Sequence, residues 1–242
     1  MLQAWSGPAP ARPLELLAVR HGQASLQAED YDQLSAIGRA QAEALGDWIG
    51  RHGLHFDRVL CGDMQRHRQT LDGIAAGLGR HGLALPEVRI DPRLNEFDHR
   101  RLASSYAARC PEHPGVQALG ERAARDPRRV LELLRDALLA WSRDELPDAG
   151  EPWTAFKARA RAALEDLSAG PHGSVLLVSS AGVIAQLAAA ASGLTDPQCI
   201  ALKLSLRNSA LCRIAAARGT LRLLDWNGLP HLAHRRDLWT QV

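Results

Sequence analysis

Short apolar runs bounded by turn residues recur along the chain and predict β-strands. The runs cover residues 14–20, 57–62, 87–90, 174–180, 210–216 and 220–226. Between the early runs, apolar positions recur at helical spacing over residues 34–50 and 64–78. The predicted apolar stripe of the first helix comprises Leu34, Ile37, Ala40, Gln41, Ala44, Leu45 and Trp48. Strands that alternate with helices indicate a mainly parallel sheet covered on both faces.

Residues 98–150 depart from this alternation. An amphipathic helix is predicted over 126–144, with Asp126 as its N-cap and Pro127 at its first position. Helical fragments broken by prolines precede it. The last two apolar runs of the chain resemble a hairpin, which adds an antiparallel strand at one edge of the sheet. The expected fold is therefore a three-layer α/β/α arrangement with a mainly parallel sheet, one antiparallel edge strand and an α-helical insertion.

Composition limits the classes of partner. The chain has 242 residues, of which 46% are hydrophobic, and these numbers suit one domain over 14–242 after a Pro-rich tail at 1–13. Its 29 Lys and Arg nearly balance 27 Asp and Glu, so we expect neither a nucleic-acid nor a membrane partner. The N-terminal residues lack a signal-peptide pattern, which favours a cytoplasmic protein. Oligomeric state stays open.

Cysteine spacing points away from a metal site. The four cysteines are Cys61, Cys110, Cys199 and Cys212. None forms a closely spaced pair, so we expect reduced thiols rather than a zinc site or a disulfide framework.

The tripeptide Arg-His-Gly occurs three times in the chain, and position distinguishes the copies. The copies at 51–53 and 80–82 follow predicted helices, where a basic residue and then a glycine are typical of helix ends. The copy at 20–22 follows a predicted strand instead. Open α/β sheets bind ligands at the carboxyl ends of their strands, so this copy is the candidate site.

Six segments resemble the histidine phosphatase superfamily, which includes the cofactor-dependent phosphoglycerate mutases. In chain order they are "LLAVRHGQAS", "LSAIGRAQAEAL", "CGDMQRHRQT", "PRLNEFD", "GEPWTAFKARA" and "LSLRNSALCRI". The resemblance implies that His21 is the nucleophile, that Arg20 and Arg66 bind the phosphoryl group, and that Glu96 is the general acid. Gln23 is a further phosphate-binding candidate. No metal and no cofactor are implied.

The chemistry of these side chains agrees with the roles that the resemblance implies. A neutral imidazole can attack phosphorus and hold the phosphoryl group as phosphohistidine. Guanidinium groups can each grip two phosphoryl oxygens, and these oxygens carry the transition-state charge. A carboxyl group can protonate the leaving alkoxide and then activate water.

One position departs from the family pattern. Where the family has Ser-His-Gly at the end of a strand, this chain has Ser179, Ser180 and Ala181, so Ser180 replaces a histidine that helps to hold the phosphoryl group. A charged donor is worth about 1.5 to 3 kcal/mol and a neutral donor about 0.5 to 1.5. The exchange therefore predicts a rate loss of about tenfold to a hundredfold if Ser180 still donates. A helix beginning near Gly182 is also expected to aim free amides at an anion.

Two functions remain open at this point. The first is a phosphomonoesterase that acts on a small phosphorylated metabolite through phosphohistidine. The second is a non-catalytic protein that binds inorganic phosphate or a phosphorylated molecule, with turnover lost through the replacement at Ser180. A mutase is disfavoured, because "NEFDHRRLASSY" lacks the Glu-Arg-His-Tyr-Gly segment typical of the mutases.

Overall fold

A computed structural model describes residues 13–25, 32–119, 127–217 and 220–241. Its strands are β1 (Leu14–Arg20), β2 (Arg58–Cys61), β3 (Val88–Ile90), β4 (Gly173–Ser179), β5 (Leu211–Ala217) and β6 (Thr220–Gly228). Its α-helices are α1 (Ala36–Arg51), α2 (Gln65–Gly79), α3 (His99–Arg109), α4 (Pro114–Leu119), α5 (Pro127–Ser142), α6 (Trp153–Ala169), α7 (Ala181–Ser192) and α8 (Asp196–Ser205). Short 3-10 helices cover Pro92–Leu94, Pro230–Leu232 and Arg236–Leu238.

The six strands form one sheet in the order β3-β2-β4-β1-β5-β6. Strands β1 to β4 are parallel, β5 runs antiparallel to β1, and β6 runs antiparallel to β5. The predicted fold class is confirmed. The reversed strand, β5, lies one position in from the edge, because the hairpin adds two strands to that side of the sheet.

Helices cover both faces of the sheet, and the side chains of the central strands alternate between them. Leu16 and Ala18 of β1 lie in the core cluster formed with α3 and α5 to α8. Val19 of β1 lies in the second cluster, together with buried side chains of α1 and α2. Because successive strand residues face opposite sides, one buried strand contributes to both cores.

The predicted stripe of α1 was wrong in part. Ile37 is 37% exposed, and the buried face instead includes Gly38, Ala42 and Gly46. A Cβ at Gly38 would lie 2.2 Å from the Gln23 carbonyl oxygen, and one at Gly46 would lie 2.0 Å from that of Ile74. Close backbone contact through these glycines therefore sets the rotation of the helix.

The segment 98–150 holds α3, α4 and α5 among its described residues. Asp126, the predicted N-cap of α5, lies outside the described residues, as do residues 1–12 of the predicted tail. The single-domain organisation over 14–242 stays a prediction. The second and third Arg-His-Gly copies do lie at helix ends, since Gly53 and Gly82, with φ of 60° and 68°, lie two and three residues after the last residues of α1 and α2.

Candidate active site

His21 follows the last residue of β1 and lies beside the end of β4. Arg20 pairs with Ser179 across the two parallel strands, and the His21 amide donates to the Ser179 carbonyl over 2.9 Å. The imidazole Nδ1 lies 2.7 Å from the carbonyl oxygen of Gly22. Because a carbonyl only accepts, Nδ1 carries the hydrogen and Nε2 keeps the lone pair. The ring is therefore oriented with its lone-pair nitrogen, Nε2, away from its own backbone.

The surroundings of His21 keep it neutral. Burial, followed by the positive charges of Arg66 and Arg20, holds the pKa of His21 well below its usual value. At neutral pH the imidazole therefore has the lone pair that nucleophilic attack requires.

Arg66 lies in the first turn of α2, and Asp32 binds its guanidinium. Its guanidinium is buried, and Nη1 lies 2.7 Å from Oδ1 of Asp32. Asp32 also accepts from the Gln65 amide over 2.8 Å, which ties its carboxylate to the start of the helix. Nη2 of Arg66 lies 3.5 Å from Oγ of Ser180. The paired carboxylate thus fixes the plane of the guanidinium beside His21.

Arg20 is held by the C-terminal part of the chain. Its Nη1 donates to the carbonyl oxygens of Leu206 and, over 2.7 Å, Gln241. Residues close to the C-terminus therefore contribute to the position of a guanidinium at the strand end.

Glu96 reaches the site from the loop after the 3-10 helix Pro92–Leu94. Its Oε2 accepts from the Gly182 amide over 2.9 Å, at the second residue of α7. A Cβ at Gly182 would lie 2.1 Å from Oε1 of Glu96, so only glycine leaves room for this carboxylate. The amide of Gly182 was expected to be free for an anion, and that expectation is corrected because Glu96 already occupies it.

Ser180 lies at the N-cap of α7 and is 1% exposed. Its Oγ lies 2.7 Å from Nε2 of His67, whose side chain is fully buried. The preceding hydroxyl, that of Ser179, donates to the Leu94 carbonyl over 2.6 Å. Both serines at this junction therefore have hydrogen-bond partners within the protein.

Gln23 is engaged in local contacts. Its side-chain oxygen accepts from the Ser35 hydroxyl over 2.8 Å. Its backbone amide donates to Oε1 of Gln41, also over 2.8 Å. These bonds tie the loop after His21 to α1.

Four of the six predicted residues line one cavity of about 320 Å³ at the carboxyl ends of β1 and β4. They are Arg20, His21, Arg66 and Glu96. Gln23 and Ser180 are not among the described residues that line it. The cavity continues along an apolar wall, which includes Phe97, Val130, Leu131, Leu134 and Leu204.

A larger cavity, of about 560 Å³, lies elsewhere and is lined by residues that include Trp48, Phe56 and Trp226. It contains none of the predicted site residues. Size alone therefore does not identify the site, whereas the convergence of titratable side chains does.

Four polar residues at or beside the cavity were not predicted as site residues, and two of them, His67 and His99, were expected to be solvated or structural; the four are Asp32, His67, His99 and Lys203. His99 and Lys203 line it, and burial lowers the pKa of both. His67 carried a signal in the sequence, since an imidazole follows Arg66 directly. The distant residues Asp32 and Lys203 carried none, because only the fold brings them to Arg66 and Glu96.

In the described part of the chain, no three His, Cys, Asp or Glu side chains form a group that could hold a metal ion. The four cysteines are free thiols, and burial raises the pKa of Cys61, Cys199 and Cys212 to about 12. Among the described helices, none has the length and apolar character needed to cross a bilayer.

The sequence matches one protein family along most of its length. The model of the histidine phosphatase superfamily (branch 1) matches residues 16–117 and 117–228. A broad-specificity phosphatase of Saccharomyces cerevisiae is 35% identical over 63 residues, which are 24% of this chain and 27% of the yeast protein. The chain thus aligns with about a quarter of this relative's length.

Solved structures share the fold. A phosphoglycerate mutase from Bacillus anthracis strain Sterne has a TM-score of 0.63 and 19% identity, covering 92% of this chain and 96% of its own. The α-ribazole phosphatase of Shigella flexneri has a TM-score of 0.61 and 23% identity, covering 89% and 97%. A mycobacterial glucosyl-3-phosphoglycerate phosphatase, solved with inorganic phosphate, has a TM-score of 0.59 and 25% identity, covering 89% and 97%.

Proposed function

The chain belongs to the histidine phosphatase superfamily, and on that premise we propose that it is a phosphomonoesterase acting through phosphohistidine. Nε2 of His21 attacks phosphorus, forming a P–N bond while the ester P–O bond breaks. Glu96 donates its proton to the leaving alkoxide. Water then attacks the phosphohistidine and gives a proton to Glu96, and the P–N bond breaks to release inorganic phosphate and restore both side chains.

The observation that carries this proposal is the convergence of a neutral His21 with Arg20, Arg66 and Glu96 on one cavity. A phosphoryl group in transfer spreads negative charge over its oxygens, so fixed cationic donors lower the barrier most. Arg66 is already oriented by Asp32 before a substrate arrives. The arrangement therefore requires little reorganisation during the reaction.

The apolar wall favours a small phosphorylated metabolite whose organic part is apolar. Val130 and Leu131 of α5 are 41% and 42% exposed beside the phosphate site. Covering such surface with an apolar group is favourable by about 25 cal/mol per Å². A sugar phosphate would place hydroxyl groups against a wall that offers them few partners.

The experiment is hydrolysis of p-nitrophenyl phosphate between pH 5 and 8 by the wild type and His21→Ala. We expect turnover in the wild type and a loss of at least a thousandfold in the variant. Alkaline quenching during turnover, which preserves the acid-labile P–N bond, should trap a phosphoryl group on His21. Equal rates for the two proteins at every pH would refute hydrolysis through this residue.

A non-catalytic phosphate-binding protein is the second candidate, and the burial of Ser180 favours it. Its hydroxyl contacts His67 and does not line the cavity, so this position offers the phosphoryl group no direct donor. Binding of vanadate or phosphate by wild type without turnover would select this function. The expected cytoplasmic location and the expected lack of a nucleic-acid partner stay predictions.

A further inference from the structure

His67 is a buried titratable residue that the proposed reaction does not use. It lies in the first turn of α2, its side chain is 0% exposed, and its ring centroid lies 5.6 Å from that of His21. Burial and the charge of Arg66 lower the pKa of His67 to about 3, so the ring is neutral at pH 7. A neutral imidazole has one nitrogen that donates and one that accepts.

Hydrogen-bond directions around Ser180 assign those two nitrogens. A guanidinium can only donate, so Nη2 of Arg66 is the donor and the Ser180 oxygen, 3.5 Å away, is the acceptor. The hydroxyl hydrogen of Ser180 then has Nε2 of His67 as its acceptor at 2.7 Å. That leaves the ring hydrogen on Nδ1, beside Gly62. The Gly62 backbone acts in the opposite direction to burial and raises the pKa of His67. Its distance or angle to Nδ1 nevertheless falls outside the range of a hydrogen bond.

The result is a chain of contacts from His67 through Ser180 to Arg66. Asp32 holds Nη1 of Arg66 from one side at 2.7 Å, and Ser180 contacts Nη2 from the other. The Nη2 contact, at 3.5 Å, is long for a hydrogen bond, and catalytic contacts of this kind often tighten only with substrate. The two contacts together define the plane in which the guanidinium meets a phosphoryl group.

We propose that His67 is a positioning residue that acts through Ser180 to orient Arg66 toward the phosphoryl group. This inference rests on the proposed phosphate site. The family pattern has a histidine at position 180, whereas here the imidazole comes from α2 and the strand end supplies only a hydroxyl. Ser180 therefore acts on the arginine and does not itself replace the missing phosphoryl donor.

The test is a double-mutant cycle on vanadate affinity and on kcat and KM, with His67→Phe, Ser180→Ala and the double variant. A hydrogen bond to a charged group predicts a loss of about tenfold in affinity for each single variant. Because both variants interrupt one chain, the double variant should lose no more than the larger single loss. KM should rise more than kcat falls.

His231 provides the matched control, since it is a second buried imidazole whose Nε2 binds a serine hydroxyl, that of Ser209. Burial lowers its pKa to about 3 as well. Losses in vanadate affinity from His231→Phe and Ser180→Ala should be additive. Thermal unfolding of every variant separates lost affinity from lost folding.

A rescue variant keeps the proposal testable if His67→Phe fails to fold. His67→Gln can still accept the Ser180 hydrogen through its side-chain oxygen, and we expect it to retain most of the wild-type affinity. Additive losses for His67→Phe and Ser180→Ala, or no loss in either, would overturn the proposal. Vanadate binding without turnover would refute the phosphatase function, while the affinity cycle would still decide the role of His67.

Discussion

The contact between Glu96 and Gly182 predicts that Gly182→Ala damages catalysis and leaves folding intact. An alanine Cβ at position 182 would lie 2.1 Å from Oε1 of Glu96, whereas ordinary contact begins at 3.4 Å. The carboxylate oxygen must therefore retreat by about 1.3 Å. Because Glu96 is a flexible side chain in a loop, it moves more readily than the backbone of α7 does.

The expected loss of catalytic rate follows from this displacement of the Glu96 carboxylate. A misplacement of about 1 Å in a reacting group costs about a hundredfold in rate, or about 2.7 kcal/mol in the activation barrier. Stability falls only modestly, because alanine is better than glycine in a helix by about 1 kcal/mol. This gain offsets part of the lost hydrogen bond from the Gly182 amide to the Glu96 carboxylate, since a bond to a charged group is worth about 1.5 to 3 kcal/mol.

The assay compares kcat for p-nitrophenyl phosphate with kcat for an alkyl phosphate. A general acid matters most when the leaving group is a strong base, so the alkyl phosphate should lose the full hundredfold and p-nitrophenyl phosphate much less. Gly79→Ala is the matched control, since its Cβ would have nothing within 4 Å. Equal losses on both substrates, or wild-type rates on both, would refute the acid role of Glu96.

Three further predictions concern pH and substrate selection. Because the pKa of His21 lies well below its usual value, the acid limb of kcat/KM should fall below pH 6.5; a limb centred at 6.5 or above would contradict a neutral nucleophile. The folded-state pKa values of His67 and His231 are lowered to about 3, so the unfolded chain takes up protons first as pH falls below about 6.5. Each residue should therefore remove about 1.4 kcal/mol of unfolding free energy per pH unit between about 6.5 and 3, measured by urea titration, and His231→Phe should reduce that slope. Leu131→Asp should lower kcat/KM for an aryl phosphate by about tenfold, from the lost apolar contact, while Leu224→Asp, at an exposed leucine outside the site, should not.

Much of the fold could be predicted because its signals are local. A buried parallel strand needs a continuous apolar run, and the runs at 14–20 and 174–180 coincide with β1 and β4 to within a residue at either end. The rotation of α1 was harder to predict, because it depends on a close approach of backbones at Gly38 and Gly46. Hydrophobic periodicity counts side chains and gives no weight to a residue that has none.

The candidate site also has features that local sequence could predict and features that it could not. The strand end at 20–22 could be selected from the sequence, since the carboxyl end of a parallel strand is a predictable location. The partners of Ser180 could not, because His67 lies 113 positions away and the contact exists only when β4 lies next to β2 and α2, which follows β2, packs against β4. No local pattern encodes that neighbourhood.

By itself, then, the sequence determined the main elements, the family resemblance and the end of the sheet where the candidate site lies, because each depends on residues close together in the chain. Only the tertiary structure decided which side chains meet there. It placed Glu96 on the Gly182 amide, 86 positions away, and Ser180 on His67. The physical reason is that hydrogen bonds act over about 3 Å in space, a distance that strand order determines and sequence separation does not.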